Sequence, residues 1–154
     1  MADMLLAYTR EDYSDARILF LEYVEWLGID LSFQKFDEEL QQLEVMYTKP
    51  HGGIILCRTG NELAGCVAIR KFSATIAEMK RLYVRPEFRK NKIAGLLITE
   101  AEKLASECGY KSINLDTLDS MLPAINLYEK HGYKRTSAYY FNPQPGAVYF
   151  SKNI

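Results

Sequence analysis

The sequence predicts one α/β domain with about seven strands and about four helices. Apolar residues at helical spacing alternate along the chain with short strand-type runs, and glycine, proline or polar turns separate them. The 154 residues match the length of a single domain, so residues 1–154 are expected to fold as one unit. A hydrophobic share of 48% is ordinary for a chain that buries a full core.

The first half is predicted to contain three strands and two helices. The strands are residues 4–8, 54–57 and 63–69, and the helices are residues 11–27 and 34–47. Both helices place apolar side chains along one side, and the second helix is the more acidic. Gly60 and Asn61 tolerate the positive φ of tight turns, so the second and third strands are predicted to form a hairpin.

The second half is predicted to contain four strands and two helices. The strands are residues 76–84, 112–117, 134–141 and 147–151, and the helices end near residues 108 and 131. Gly109 and Gly132 suit the left-handed position that follows a helix. Asp119 or Ser120 is expected to cap the last helix.

Residues 76–84 form the most clearly patterned strand. With a repeat of two, Glu78, Lys80, Leu82 and Val84 are predicted to share one face, and the residues between them the other. Pro86 has no backbone N–H to donate to a neighbouring strand, so it is expected to end this one.

A basic cluster marks the start of the following helix. Arg89, Lys90 and Lys92 crowd its first turn, although the helix dipole favours negative charge at that end. Unpaired backbone N–H groups at a helix start bind anions, and flanking cations strengthen that binding. The sequence therefore predicts a phosphate-binding site at this helix start.

The charges are distributed unevenly along the chain. The net charge of −1 argues against a general nucleic-acid binder. Residues 11–44 contain ten acidic and two basic residues, so this segment is net −8 and the rest is net +7. The acidic segment favours a cationic substrate and the basic loop an anionic cofactor, with solvated helix faces as the alternative for both.

Cysteine usage bears on metals and on location. Cys57, Cys66 and Cys108 show neither a CxxC pair nor zinc-type spacing, so no metal site is expected. An odd cysteine count without an evident signal peptide favours free thiols and a cytoplasmic location. A buried strand position is favoured for Cys66 over a nucleophilic role. No apolar run reaches the roughly 18 residues that span a bilayer, so no membrane is expected as a partner.

Two blocks of the second half resemble the GNAT N-acetyltransferase family. The run from Arg89 to Ala94 is similar to the family's Arg/Gln-x-x-Gly-x-Gly/Ala loop, and Leu82 to Val84 resembles the family's fourth strand. The resemblance implies that this loop holds the pyrophosphate of acetyl-coenzyme A (acetyl-CoA). Lys92 stands where the family's first glycine usually is, so a positive φ there would strain the lysine.

The second block is the last predicted helix. Ala124, Leu127 and Tyr128 resemble the family's Ala-x-x-Leu-Tyr, and Gly132 with Tyr133 resembles its Gly-Phe/Tyr ending. The order of elements also matches the family, which implies a mixed, twisted sheet with helices on both faces. In that fold the fourth and fifth strands are parallel and splay apart, and the pantetheine arm lies in the gap.

The resemblance assigns cofactor binding to one set of residues. They are Leu82, Tyr83, Val84, Arg89, Lys90, Asn91, Lys92, Ile93, Ala94, Gly95 and Tyr128.

Acetyl transfer to an amine requires a base, an oxyanion donor and an acid. An amine with a pKa near 10 is almost entirely ammonium at pH 7, so a carboxylate must help to remove its proton. By resemblance, Glu78 is the expected base and Asp116 its rival, the Val84 N–H binds the oxyanion, and Tyr128 protonates the leaving thiolate. A salt bridge is the alternative for Glu78, and a core position the alternative for Tyr128.

The resemblance therefore implies an enzyme that moves acetyl from acetyl-CoA directly to a primary amine of a small, cationic molecule. The alternative is a coenzyme A-binding sensor or interaction module without turnover. Tyr139, Tyr140 and the loop of residues 142–146 are expected to wall the acceptor site. Family members often dimerise, so a homodimer is expected as a further partner, although the sequence identifies no interface.

Overall fold

The computed structural model describes residues 2–154. The strands are β1 (Ala2–Leu6), β2 (Gly53–Thr59), β3 (Glu62–Lys71), β4 (Ile76–Val84), β5 (Ser112–Leu118), β6 (Lys134–Thr136) and β7 (Ala147–Asn153). The helices are α1 (Arg10–Leu27), α2 (Phe36–Gln41), α3 (Leu43–Met46), α4 (Ile93–Glu107) and α5 (Leu122–Lys130). Short 3-10 helices lie at Ser32–Gln34 and Pro86–Asn91. No helix within residues 2–154 is long and apolar enough to cross a membrane.

The strands form one mixed sheet, which confirms the expected fold class. The strand order is β1-β2-β3-β4-β5-β7-β6, and β4 and β5 are parallel whereas the other neighbours are antiparallel. The parallel pairing runs only from Ile76 opposite Ser112 to Glu78 opposite Asn114. Beyond these residues the two strands diverge, and a gap opens within the sheet.

Helices cover both faces of the sheet. Leu97 and Ala101 of α4 pack on one face together with α5, and Leu19 and Phe20 of α1 pack on the other. Residues 63–69 of β3 are buried on both faces, which explains why this strand is an unbroken run of apolar and small residues.

A β-bulge interrupts β4 in its middle. Ala68 of β3 pairs with Lys80, and Cys66 pairs with Tyr83, so two residues of β4 oppose one of β3. Arg81 lies in the bulge with a φ of 61°, in the left-handed region that non-glycine residues seldom adopt.

The bulge changes which face the later side chains occupy. The predicted alternation holds up to Lys80, but Arg81 then faces α1 to α3 as Lys80 does. Tyr83 consequently packs against α1, whereas Leu82 and Val84 pack on the α4 face. The prediction that Lys80, Leu82 and Val84 share one face is therefore wrong, because one extra residue in a strand reverses every later side chain.

Four other predicted elements differ. The first strand, expected over residues 4–8, covers Ala2–Leu6. The helix expected over residues 34–47 is broken at Gln42, whose φ of −128° is not helical, so it forms α2 and α3. The strand expected over residues 134–141 ends at Thr136. Helix α5 begins after Met121 without a side-chain cap from Asp119 or Ser120. The Asp119 N–H instead donates to the Gly146 carbonyl at 2.8 Å, which holds residue 119 outside the helix.

The expected helix ends agree with the structure. Gly109 and Gly132 have φ values of 90° and 91°, so both take the left-handed conformation after α4 and α5.

Candidate active site

The gap between β4 and β5 opens into a cavity of about 830 Å³. Residues of α1, β4, the turn before α4, β5 and α5 line it. Its volume lies within the range of small-molecule and cofactor sites. Most of the residues singled out from the sequence converge on this cavity.

The cavity lining includes most of the expected cofactor residues but not all of them. Those that line it are Leu82, Tyr83, Val84, Arg89, Lys92, Ala94, Gly95 and Tyr128. Ile93 is buried in the core instead, and Lys90 and Asn91 are exposed outside the lining. Asp116 also lines the cavity, and Glu78 does not.

The helix start at Lys92 brings backbone N–H groups and cations together. Lys92 precedes α4 with a φ of 59°, so the lysine does carry the left-handed conformation considered for it from the sequence. The first backbone N–H groups of a helix have no partner within that helix, and they attract negative charge. Arg89 and Lys92 line the cavity at this end, which places two cations beside those groups.

Arg89 is held in place by two kinds of contact. Its Nε donates to the Val84 carbonyl at 2.9 Å, and its guanidinium carbon lies 4.6 Å from the centre of the Trp26 ring. Trp26 was not singled out from the sequence, where it is one apolar residue of an amphipathic helix. Its ring and the guanidinium form one wall of the cavity near the start of α4.

The backbone of β4 supplies a hydrogen-bond donor to the gap. The Arg85 N–H donates to the Ala64 carbonyl of β3 at 2.8 Å. Because successive N–H groups of a strand point to opposite sides, the Val84 N–H points toward β5. At this position β5 has already diverged, so the donor faces the cavity rather than a paired strand.

Tyr128 lies on α5 at the inner end of the cavity. Its ring packs against Tyr133 and Phe150, and only 7% of the residue is exposed. Burial raises the pKa of Tyr128 well above the ordinary value, so its phenol stays protonated at neutral pH. The hydroxyl therefore keeps its proton at neutral pH and can donate a hydrogen bond.

Asp116 lies on the opposite side of the gap, on β5. The amide of Asn142 donates to Asp116 Oδ2 at 2.8 Å, and the hydroxyl of Tyr140 donates to the same oxygen. Both donors belong to the segment between β6 and β7. Asn142 is the residue of this segment that lines the cavity, and the role of the segment as a wall of the acceptor site stays a prediction.

Gln34 and Lys80 continue this polar chain across the cavity. Gln34 Nε2 donates to the Tyr140 hydroxyl oxygen at 2.8 Å, and Lys80 Nζ donates to Gln34 Oε1 at 3.0 Å. Lys80 is 5% exposed, and burial lowers its pKa to about 8. No role in the site was predicted for Lys80 from the sequence. The available signal was a run of charged residues, Glu78, Lys80 and Arg81, within a single strand.

Glu78 is buried and does not line the cavity. Arg70 Nε donates to its Oε1 at 2.9 Å, and the Tyr139 hydroxyl donates to its Oε2 at 2.7 Å. Burial alone would raise the pKa of Glu78, but the charges of Lys80 and Arg70, with these hydrogen bonds, lower it below the ordinary value. The carboxylate is thus ionised and engaged, and it has no direct face on the cavity.

A buried ion pair supports the bulge. Arg81 donates to Glu39 through Nη2 at 2.7 Å and Nε at 3.0 Å, and the Tyr47 hydroxyl donates to Glu39 Oε2 at 3.0 Å. Phe36 covers the guanidinium, with its ring centre 5.3 Å away. The left-handed backbone conformation costs a non-glycine residue roughly 1–2 kcal/mol of conformational free energy. The two charge-assisted hydrogen bonds to Glu39 offset this cost at Arg81.

The acidic side chains of residues 11–44 do not line the cavity. Glu22 pairs with Arg85, Asp15 pairs with Arg58, and Glu39 pairs with the bulge arginine. Asp116 is the only acidic residue among those of residues 2–154 that line the cavity. Any effect of the acidic segment on a cationic acceptor therefore acts at long range.

The cysteines, all within the described residues, are free and lie outside the cavity lining. Cys66 is fully buried, and its thiol donates to the Arg81 carbonyl at 3.3 Å. Burial raises the pKa of Cys66 above the ordinary value, which disfavours the reactive thiolate.

Comparison with known proteins matches the sequence of this chain to one family. The family model described as the acetyltransferase (GNAT) family matches residues 17–133. An uncharacterized N-acetyltransferase of Schizosaccharomyces pombe is 44% identical over 141 residues, which cover 90% of this chain and 86% of that protein. A spermidine N(1)-acetyltransferase of Thermoplasma acidophilum is 27% identical over 86% of this chain and 81% of its own length.

Solved structures share the fold at low identity. The crystal structure of a Bacillus subtilis acetyltransferase in complex with CoA superposes with a TM-score of 0.70 and 20% identity. The superposition covers 100% of this chain and 99% of that one.

Proposed function

Because this chain belongs to the GNAT acetyltransferase family, we propose that it transfers acetyl from acetyl-CoA directly to a primary amine of a small molecule that arrives as an ammonium cation. The observation that carries this proposal is the cavity between β4 and β5. It has a basic helix start at one end, and Tyr128 and Asp116 inside.

The cavity fits acetyl-CoA as the cosubstrate. Arg89, Lys92 and the N-terminus of α4 would hold the pyrophosphate, because cations and backbone N–H groups meet there. The diverging strands leave room for an extended arm between them. Acetyl-CoA supplies the acyl group, and its thiol is the leaving group.

The chain's own residues would assist each part of the transfer. The Val84 N–H points into the gap, where it can stabilise negative charge on the acyl oxygen. Tyr128 is protonated, and within residues 2–154 its hydroxyl has no hydrogen-bond partner, so it is available to protonate the leaving thiolate. Asp116 lines the cavity and is the carboxylate we assign to the ammonium of the acceptor.

Glu78 is the rival for proton removal. Its carboxylate is ionised, but it does not line the cavity and is engaged by Arg70 and Tyr139. A proton would therefore have to reach it through an intervening group. Direct transfer, rather than an acyl-enzyme, is supported by the position of Cys66 away from the cavity.

The test is thiol release from acetyl-CoA across a panel of primary amines, with wild type, Asp116→Asn and Glu78→Gln compared. We expect amine-dependent release that falls at least about a hundredfold in Asp116→Asn and less in Glu78→Gln. The reverse order would move the base to Glu78. If acetyl-CoA raises the stability of the protein but no amine is acetylated, the result would contradict the enzyme and support the alternative, a binding module without turnover.

Location and assembly are part of the same proposal. The free thiols of Cys57, Cys66 and Cys108 support a cytoplasmic protein. A homodimer stays a prediction, which sedimentation of the purified chain would test.

A further inference from the structure

The charges around the acceptor end of the cavity are not all paired with one another. Arg81 pairs with Glu39, and Arg70 pairs with Glu78, at distances of 2.7 and 2.9 Å. Within residues 2–154, neither Lys80 nor Asp116 forms a salt bridge. Both of them line the cavity.

Two neutral side chains keep this cation and this anion apart. Lys80 donates to Gln34, Gln34 donates to Tyr140, and Tyr140 donates to Asp116. The relay fixes the lysine at one end and the carboxylate at the other, and both ends face the same cavity. Glu78 is the carboxylate that acts most strongly on Lys80 through its charge, but Arg70 and Tyr139 already engage both of its oxygens. Lys80 is therefore a buried cation whose one hydrogen-bond partner is a neutral amide, which is a costly arrangement for a residue that serves stability alone.

Building on the proposed function, we propose that the acceptor is an amino acid. Its ammonium lies on Asp116, and its carboxylate lies on Lys80 and the amide of Gln34. Such a zwitterion matches both unpaired charges at once. A polyamine would place a second cation near Lys80, so we expect it to be a poor acceptor.

The protonation states suit this ligand. With a pKa of about 8, the Lys80 ammonium is mostly charged at pH 7 and can pair with a carboxylate. The side chain of the amino acid would lie against the apolar residues Ile29, Leu31 and Phe33, which continue the lining beside Gln34. These residues favour an apolar side chain on the acceptor.

The test offers each acceptor in three forms. Each of the common amino acids is assayed beside its amide and its decarboxylated amine, and spermidine is included, all with saturating acetyl-CoA. In wild type we expect kcat/KM for the free acid to exceed both other forms by at least about tenfold, since a charge-assisted hydrogen bond is lost in each.

The variants assign that preference to one residue. Lys80→Met keeps the length and packing of the side chain without its charge, and it should remove the preference while still acetylating the amine and amide forms. Lys80→Arg restores a cation and should restore the preference. Lys71→Gln removes an exposed lysine outside the cavity and should leave the ratio unchanged.

The outcomes separate this inference from the proposed function. Equal rates on acid, amide and amine, a preference for spermidine, or a preference that persists in Lys80→Met would each overturn the amino-acid acceptor and leave the N-acetyltransferase intact. Absence of turnover for every form in every variant would overturn both.

Discussion

Replacing Glu39 with glutamine removes one charge from an ion pair that is almost completely buried. Glu39 is 1% exposed and Arg81 5%, and two hydrogen bonds of 2.7 and 3.0 Å join them. The amide can accept only one of these bonds well, and its NH2 group would face the guanidinium. The Arg81 cation is then left in the core without an opposite charge.

The loss of stability should be large. Removing one partner of a buried pair costs roughly 3–5 kcal/mol in the free energy of unfolding. For a chain of this length that corresponds to a fall in Tm of about 6–20 °C. The variant should also lose activity beyond its loss of folded protein, because Arg81 fixes the bulge that orients Lys80 and the Val84 N–H.

Urea unfolding followed by circular dichroism would measure the effect. Glu100→Gln is the matched control, because Glu100 pairs with Lys103 at the surface, where the side chains are 35% and 63% exposed. That control should change stability by less than about 0.5 kcal/mol. A Glu39→Gln variant that is as stable as Glu100→Gln would refute the view that this ion pair holds the bulge.

Three further predictions concern the cavity. Lys80→Met should raise stability at pH 7 by about 3 kcal/mol, because burial lowers the lysine pKa from 10.5 to about 8. Between pH 8 and pH 10, the lysine is mostly protonated in the unfolded state and mostly neutral in the folded state. The wild-type free energy of unfolding should therefore rise over this range, and urea titrations of Lys80→Met should show no such rise. Lys92→Gly should have a free energy of unfolding about 1 kcal/mol higher than Lys92→Ala in urea titrations, since only glycine relieves the strain at φ 59°. Both variants should weaken acetyl-CoA binding equally, because both remove the lysine charge. Tyr128→Phe should lower kcat about a hundredfold with little change in KM, whereas Tyr133→Phe, buried outside the cavity lining, should keep kcat in the same thiol-release assay. An unchanged kcat in Tyr128→Phe would discard the tyrosine as the acid.

The local patterns of the sequence were enough to predict the main elements. The bounds of β4 were predicted to the residue, because alternation and Pro86 both act locally. The ends of α4 and α5 followed from Gly109 and Gly132 for the same reason. The order of strands in the sheet came instead from the resemblance to a family.

The features that shape the site depend on distant contacts. The residues next to Arg81 in the sequence do not predict a bulge, because the conformation of Arg81 is stabilised by Glu39 and by the side chains around that pair. Residues 137–141 have a strand-like composition, yet Tyr139 and Tyr140 bind Glu78 and Asp116 instead of pairing their backbone with a neighbour. Long-range side-chain contacts of this kind leave no periodic trace in a sequence.

The short parallel pairing of β4 and β5 also has a consequence for aggregation. A sheet normally ends at two outer edges, but here the divergence after Glu78 and Asn114 exposes two more lengths of strand edge inside the sheet. Open edges invite a strand from another molecule, and proteins discourage this with bulges and inward-pointing charges. The charged side chains of Lys80, Arg81 and Asp116 line the gap between these edges. By the same principle, we expect these charges to disfavour the insertion of a foreign strand into the gap.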